Sequence, residues 1–397
     1  MEGDQRASDK LKLSCQLPLL RSADGAKMTV RILWSISLLF FGTALPLWAS
    51  QISCINDDGK PVDWYVLYKF PKHMSHDVAG TGLEYMFMDS LALIWKPSKY
   101  FVNMTESALG QTLQQLYQTY KSEENSTAYV IYNDGPPNKM NYSWTHGHSK
   151  GFLLLDQSQG FWVIHSIPEF PPFPEDGYGY PRTGKYNGQI AICITFRYEQ
   201  FAEIDKQLLF YNPNVYNCSI PKLFQSELLN LQAMCAGAQL PSVPTNQSLI
   251  KLQSAQGEIL FNFAKTQYDH EDIYIAWMAQ KLQTNFLVES WQRKGHRLFS
   301  NCSLPYHVYN VNLVGTPWNS SFSSYYDHSK WCVSSRPADR WTCVGDLNYS
   351  PQQAKRSGGF VCTQNQHIYM AFRVLVLHYY DCREFQEFTH AAQTSGL

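Results

Sequence analysis

His148-Ser149-Lys150 and His328-Ser329-Lys330 are one tripeptide placed once in each half of a 397-residue chain. The surroundings repeat in outline. Trp162 and then His165-Ser166-Ile167-Pro168 follow the first copy; Trp341 and then Gly345-Asp346-Leu347-Asn348 follow the second. Each copy adjoins a strand-like run. A single His-x-Lys means little, because a solvated strand end carries such residues as readily. Two copies at half-chain separation predict duplicated halves that meet about a pseudo-twofold axis. The expected class is α/β, with mixed β-sheets flanked by helices. The expected division is an N-terminal half over 51–225, a C-terminal half over 226–382 and a tail over 383–397.

On a strand, residues i and i+2 point to the same face. His148 and Lys150 are therefore expected to project together, as are His328 and Lys330. Facing halves would bring two imidazoles and two ammonium groups to one place. Such a set, with no acidic cluster foreseen around it, suits an anionic phosphoryl group. Lysine compensates charge on the phosphate and in the transition state. One histidine can attack phosphorus while the other protonates the leaving oxygen. This chemistry calls for no metal or other cofactor. Asn348 can add a phosphate-directed donor or orient a histidine.

Around these motifs the chain mixes strands and helices. Residues 63–70 alternate apolar and polar, as a strand with one buried face does. Residues 127–132, 151–155, 161–167 and 190–196 read as buried strands, and 307–314 as another. Residues 106–120 predict a helix with Leu109, Leu113, Leu116 and Tyr120 on one face. Residues 272–291 predict a second long helix, while 368–380 fit helix or strand equally. The Pro-rich stretch 168–181 is expected to be an ordered loop.

The first 50 residues are expected to lie outside the fold. Lys27 and Arg31 precede an apolar run over Ile32–Leu47, and small residues Ala49 and Ser50 follow. That is the order of a secretory signal, with the run short for a membrane span. Met28 stands where such a signal begins, so 1–27 read as an upstream extension. No second span follows, so the mature form is expected to be soluble and free of the membrane. Of ten cysteines, all but Cys15 lie beyond the signal, an odd number that leaves at least one thiol free. Many cysteines on an exported chain imply disulfides, and no CxxC pair points to a zinc ribbon. Glycosylation signals agree, at Asn103, Asn125, Asn141, Asn217, Asn246, Asn301 and Asn319, with a further sequon at Asn348.

Hydrophobic residues at 44% and charged residues at 16% describe a packed chain and exclude global disorder. With 32 basic and 33 acidic residues, the formal charge is −1 when histidine is neutral. At neutral pH that balance argues against a nucleic-acid partner. All 12 histidines follow the signal, however, and their ordinary pKa is about 6.5. Acidification therefore turns the mature chain cationic.

The two His-x-Lys copies and the later Gly345-Asp346-Leu347-Asn348 resemble the phospholipase D superfamily. In that superfamily each half contributes His-x-Lys and a Gly-Ser-x-Asn-like element. The Asp usual five residues after each Lys is missing, since Leu155 and Ser335 hold those places. One branch fits this departure. From about Gln51 to Cys382 the chain resembles the deoxyribonuclease II family. The resemblance rests on Ile52-Ser53-Cys54, Thr81-Gly82-Leu83-Glu84-Tyr85, Ile131-Tyr132-Asn133-Asp134-Gly135, Gly160-Phe161-Trp162 and Ile192-Cys193-Ile194-Thr195-Phe196. Asp327-His328-Ser329-Lys330-Trp331 and Trp341-Thr342-Cys343-Val344-Gly345-Asp346-Leu347-Asn348 complete it.

The resemblance implies a phospholipase D-like fold. It also implies a metal-independent acid endonuclease of the lysosome or of secretions, cutting double-stranded DNA largely without regard to sequence. The products would carry 3′-phosphate and 5′-hydroxyl ends. His148, Lys150, His328 and Lys330 are the implied catalytic residues, with Asn348, Asp346 and His165 in support. Cys54 is paired with Cys193, Cys302 with Cys382, Cys343 with Cys362 and Cys218 with Cys235, leaving Cys332 free. Asn348 in a site role sets its sequon apart from the glycosylation candidates. Two alternatives stand beside this reading: a lumenal phospholipid or phosphodiester hydrolase of the superfamily, and a catalytically inactive nucleic-acid-binding member.

Other residues carry weaker signals. His146 and His148 form a His-x-His pair without a third metal ligand at a recognisable spacing. His165 lies in an apolar strand, as a core histidine does, and also within the repeated element. His73 and His76 flank a loop. Trp162, Trp331 and Trp341 read as core. Ser357-Gly358-Gly359 after Arg356 reads as a plain turn or as a phosphate approach. The Tyr-rich loop 178–186, with Arg182 and Lys185, reads as a solvated rim or a DNA-backbone contact.

Overall fold

The strand Lys150–Leu155 lies inside an eight-stranded antiparallel sheet, between Ala128–Asn133 and Gln159–His165. The order runs on through Gln189–Arg197, Trp64–Lys69, Tyr85–Asp89 and Lys96–Pro97, with Val215–Ser219 at the opposite edge. The computed structural model describes residues 51–383 except 75–79, 123–124, 139–141, 143, 239 and 293–297. The expected signal, the tail from 384 on, His76 and Asn141 lie outside the described residues. The described residues fall within one compact unit.

The second sheet places Trp331–Ser334 between Phe286–Glu289 and Thr342–Gly345. Gly358–Thr363, Ile259–Lys265 and Gln247–Gln253 continue on one side. Val308–Gly315 follows on the other, parallel to Phe286–Glu289, and carries both Ser321–Ser323 and Val376–Tyr380. Each half therefore sets its His-x-Lys at the start of an inner strand.

Both faces of the first sheet are covered. Tyr65, Leu67, Ile131, Leu154, Phe161 and Val163 pack under the helix Ala108–Ser122. Trp64, Val66, Tyr68, Leu153, Trp162 and Ile194 pack in one core with Leu260, Leu287, Val333, Val344 and Val361 of the second sheet. The far face of that sheet, with Phe263, Phe286, Val288 and Phe360, packs under the helical stretch Ile273–Leu282. The layers are helix, sheet, sheet, helix. This explains a departure from the sequence reading. Alternation over 63–70 foretold one buried face, yet Trp64–Lys69 is buried throughout because the two sheets face each other. Trp162 and Trp331 are core, as read.

Three further differences have local causes. In Ala108–Ser122 the buried face is completed by Tyr117, and Tyr120 in the last turn is exposed. The expected helix over 272–291 stops at Leu282, where Gln283 takes a left-handed φ of 53°. Phe286-Leu287-Val288 then finds strand partners on both sides, and a buried ladder outweighs helical periodicity. The ambiguous 368–380 is both elements in turn: a helix over Gln366–Arg373 and a strand over Val376–Tyr380.

Disulfides join Cys54 to Cys193, Cys218 to Cys235, Cys302 to Cys382 and Cys343 to Cys362. These are the pairs that the resemblance implied, and among the described residues Cys332 is a buried free thiol. Cys218–Cys235 ties the helix Leu229–Cys235 to the edge strand of the first sheet. Of the sequons, Asn103, Asn125, Asn246 and Asn319 are exposed, Asn217 and Asn301 half-buried, and Asn348 buried. No helix among the described residues is long and apolar enough to cross a membrane.

Candidate active site

Each His-x-Lys is held by the backbone of the other half. His148 directly precedes its strand, and its N–H donates to the Ser357 carbonyl at 2.9 Å. Gly147 donates to the Asn212 carbonyl at 2.8 Å, and the approach is close enough to demand glycine. A Cβ there would lie 1.9 Å from the Tyr211 carbonyl oxygen and 3.0 Å from that of Ser357. Reciprocally, the His328 N–H donates to the Gly188 carbonyl at 2.9 Å, and Gly188 bridges to Asp327.

The rings follow the same logic. His148 Nδ1 donates to the Asp346 carbonyl at 2.8 Å. That bond holds the neutral ring in the tautomer whose lone pair is on Nε2. His328 Nδ1 lies 3.3 Å from the Ser166 carbonyl and 3.4 Å from Lys330 Nζ. Burial and then the nearby lysines push both histidines well below their usual pKa. His148 feels Lys150 first and then Lys330; His328 feels Lys330 first and then Lys150 and His148. The structure thus brings all four expected residues into one electrostatic cluster. Burial and then Lys150 bring Lys330 down to about 7.

The cluster is not free of carboxylates, contrary to the sequence reading. Asp134 directly follows the strand Ala128–Asn133, whose register sets Asn133 opposite Lys150. Its carboxylate lies 2.5 Å from Lys150 Nζ, 3.7 Å from His148 Nε2 and 3.5 Å from Arg356 of the second half. Burial opposes its charge, but Lys150 and His148 overcome that and hold the carboxyl below the usual range. Around His328, buried Asp327 accepts from Ser329 and Tyr68, and buried Glu289 accepts from Ser324. Burial raises the pKa of both. An indole also lies beside His328: Trp291 sits edge-on to it, ring centres 4.4 Å apart.

The expected supporting residues contribute through their positions. The Asp346 carboxyl is buried and pushed up to about 8 by that burial, while its carbonyl holds His148. Asn348 Oδ1 accepts from the Trp291 N–H at 3.4 Å, so it bears on the residue beside His328. The Cys343–Cys362 bridge spans directly paired strands at the base of this loop. His165 is buried between Phe152 and Phe170, its Nδ1 accepting from the Ile167 N–H, and burial brings it down to about 3. The register of Gly151 opposite Ile164 sets it beside Lys150.

The weaker candidates separate. His146 offers its carbonyl to Arg356, and no group of three metal-ligating side chains occurs among the described residues. His73 is exposed and rests on Tyr326. In the loop 178–186, Tyr178 and Tyr180 pack against the helix-side core, and Arg182 is exposed. Sequence reasoning gave no site role to Asp134, Asp327, Glu289 or Trp291. Their signal was present as polar or aromatic residues at the ends of apolar runs, or next to the repeated tripeptide.

Comparison with known proteins decides the kinship. The chain matches the deoxyribonuclease II family over residues 53–382. The chain belongs to that family. It is 54% identical to deoxyribonuclease-2-beta of Homo sapiens over 90% of this chain and 99% of the relative. Deoxyribonuclease-2-beta of Rattus norvegicus is 50% identical over 88% and 98%, and deoxyribonuclease-2-alpha of Mus musculus 39% over 85% and 96%. The paired sheets with outer helices are accordingly the phospholipase D-like fold of the deoxyribonuclease II family.

Proposed function

We propose that this chain is an acid endodeoxyribonuclease that cleaves DNA through a phosphohistidine. One observation carries the assignment of roles: His148 Nδ1 is engaged by the Asp346 carbonyl, which leaves a lone pair on Nε2. In the reaction, Nε2 of His148 attacks phosphorus and the N–P bond forms as the P–O5′ bond breaks. His328 gives its proton to the departing 5′ oxygen. Water then attacks phosphorus, neutral His328 takes its proton, and the N–P bond breaks. The products are a 3′-phosphate and a 5′-hydroxyl, and both histidines return to their starting states. Lys150 and Lys330 compensate the charge of the phosphoryl oxygens. Asp134 beside Nε2 offsets the positive charge that His148 gains as an N-phosphorylated ring.

The depressed histidine pKa values supply the acid dependence. His328 must carry a proton, and a lowered pKa confines that state to low pH. An acidic lumen such as the lysosome, or an acidified secretion, is the matching compartment.

The test uses thymidine 3′-(4-nitrophenyl phosphate), whose leaving group needs no proton. In chelator at pH 5, His328→Ala is expected to release nitrophenol in a burst matching the enzyme added, since His328 also serves the water step, and His148→Ala to be inactive. Both variants are expected to fail on plasmid DNA. Nitrophenol release by His148→Ala, but not by His328→Ala, would reverse the assignment. Hydrolysis of phosphatidylcholine rather than DNA by the wild type would replace the substrate class.

A further inference from the structure

Trp144 is 75% exposed, although it lies only three contacts from the centre of the site. Lys150 pairs with Asp134, Asp134 with Arg356, and the Arg356 guanidinium sits 5.6 Å from the Trp144 ring centre. The same guanidinium is 5.6 Å from the ring of Tyr142, which meets Trp144 edge-on with centres 4.7 Å apart. Arg356 NH1 donates to the Tyr142 hydroxyl at 3.0 Å, and NH2 donates to the His146 carbonyl at 2.9 Å. The indole is thus fixed from one side by a buried cation and an aromatic edge, with most of its surface in water. Trp162 and Trp331, by contrast, are wholly buried, and exposed Trp318 is 44% accessible. The floor beneath Trp144 is cationic and joined to the phosphate-binding lysine.

We infer that Trp144, braced by Arg356 and Tyr142, is a stacking platform for an unpaired nucleobase next to the scissile phosphate. A nucleobase suits it because every base offers a π-face, so stacking adds affinity without demanding a sequence. The polarised contact with Arg356 holds the ring in place before substrate arrives. This subsite rests on the DNA-cleaving reading above. A base can reach the platform only when it is unstacked, so in duplex DNA the contact forms where the strand opens at the cleavage site.

The experiment compares wild type, Trp144→Ala and Trp144→Phe on a short single-stranded oligonucleotide at pH 5 in chelator. Substrates carrying an abasic residue at each position around one cleavage site complete the set. Stacking acts on substrate and transition state alike, so Trp144→Ala should raise KM about 5- to 150-fold and leave kcat near wild type. Trp144→Phe should recover most of that loss. An abasic residue at one position should weaken the wild type and leave Trp144→Ala indifferent. Unchanged KM, or equal abasic sensitivity in both proteins, overturns the platform. A fall in kcat alone also overturns it, because Trp144 would then act by holding Arg356 rather than by meeting the base. Should Trp144→Ala not fold, Trp144→Leu, which keeps apolar bulk without a π-face, takes its place: abasic sensitivity lost there supports the platform, and sensitivity equal to wild type overturns it. A wild type that cuts no DNA refutes the nuclease reading itself, a result distinct from all of these.

Discussion

Replacing Asp134 with Asn keeps the side-chain shape and removes the charge that three buried cationic or protonatable groups share. Asp134 and Lys150 are almost wholly buried and 2.5 Å apart, and Arg356 approaches at 3.5 Å. Losing one partner of such a pair leaves an uncompensated buried charge, which costs about 3–5 kcal/mol. The cost has a definite pH dependence. The native carboxyl is held below its ordinary pKa, so its stabilisation is complete above the unfolded value of about 3.9. It is lost only as pH falls from there through the native value. Asp134→Asn should therefore cost the same at pH 5 as at pH 7. Urea unfolding followed by tryptophan fluorescence reads this directly, and Lys150→Met completes a double-mutant cycle. Neutralising both partners should restore part of the loss, because Lys150 is then no longer an orphan charge while Arg356 keeps its bonds to Tyr142 and His146. A cost below about 1 kcal/mol, or simple additivity of Asp134→Asn and Lys150→Met, would show that Asp134 does not neutralise Lys150.

Four further outcomes are expected. His148→Ala and His328→Ala should each lower plasmid cleavage by about 10²–10⁴-fold or more, with wild-type activity undiminished in EDTA. The rate on DNA should fall about tenfold per pH unit on the alkaline side, with the bend below about 6.5, because burial and the lysines depress His328, the proposed proton donor. A bend above 7 would mean that the lysines do not act on it. Gly147→Ala should displace His148 or prevent folding, since its Cβ would lie 1.9 Å from the Tyr211 carbonyl oxygen; wild-type kcat would refute the close approach. Removing Cys54–Cys193 by Cys54→Ser with Cys193→Ser should cost about 3–5 kcal/mol in urea, because that bridge closes a separation of 139 residues.

Much of this was legible in the chain before any fold. Strands over 127–132, 151–155 and 190–196 announced themselves because a short apolar run rich in β-branched residues packs well in a sheet buried on both faces. The repeated His-x-Lys named its four clustered residues because a tripeptide is a local pattern, and duplication doubles the local signal. The helix predicted over 272–291 shows the limit. Periodicity saw apolar spacing through Val288, but only the neighbouring strands Val308–Gly315 and Trp331–Ser334 make Phe286–Glu289 a strand.

The site divides along the same line. The sequence by itself determined the chemistry: two imidazoles, two ammonium groups, and a charge balance that turns cationic on acidification. Only the tertiary structure decided how those groups are held and tuned. The Asp346 carbonyl reaches His148 from the other half of the chain, and the Ser166 carbonyl reaches His328 in the same way. Asp134 meets Arg356 across the same junction, and Trp144 meets it at the rim. Such contacts join residues far apart in the chain, 162 positions for Ser166 with His328 and 198 for His148 with Asp346, where no local spacing constrains them. The low dielectric that depresses the histidines and sustains the Asp134 charge exists only once the two sheets have closed over one core.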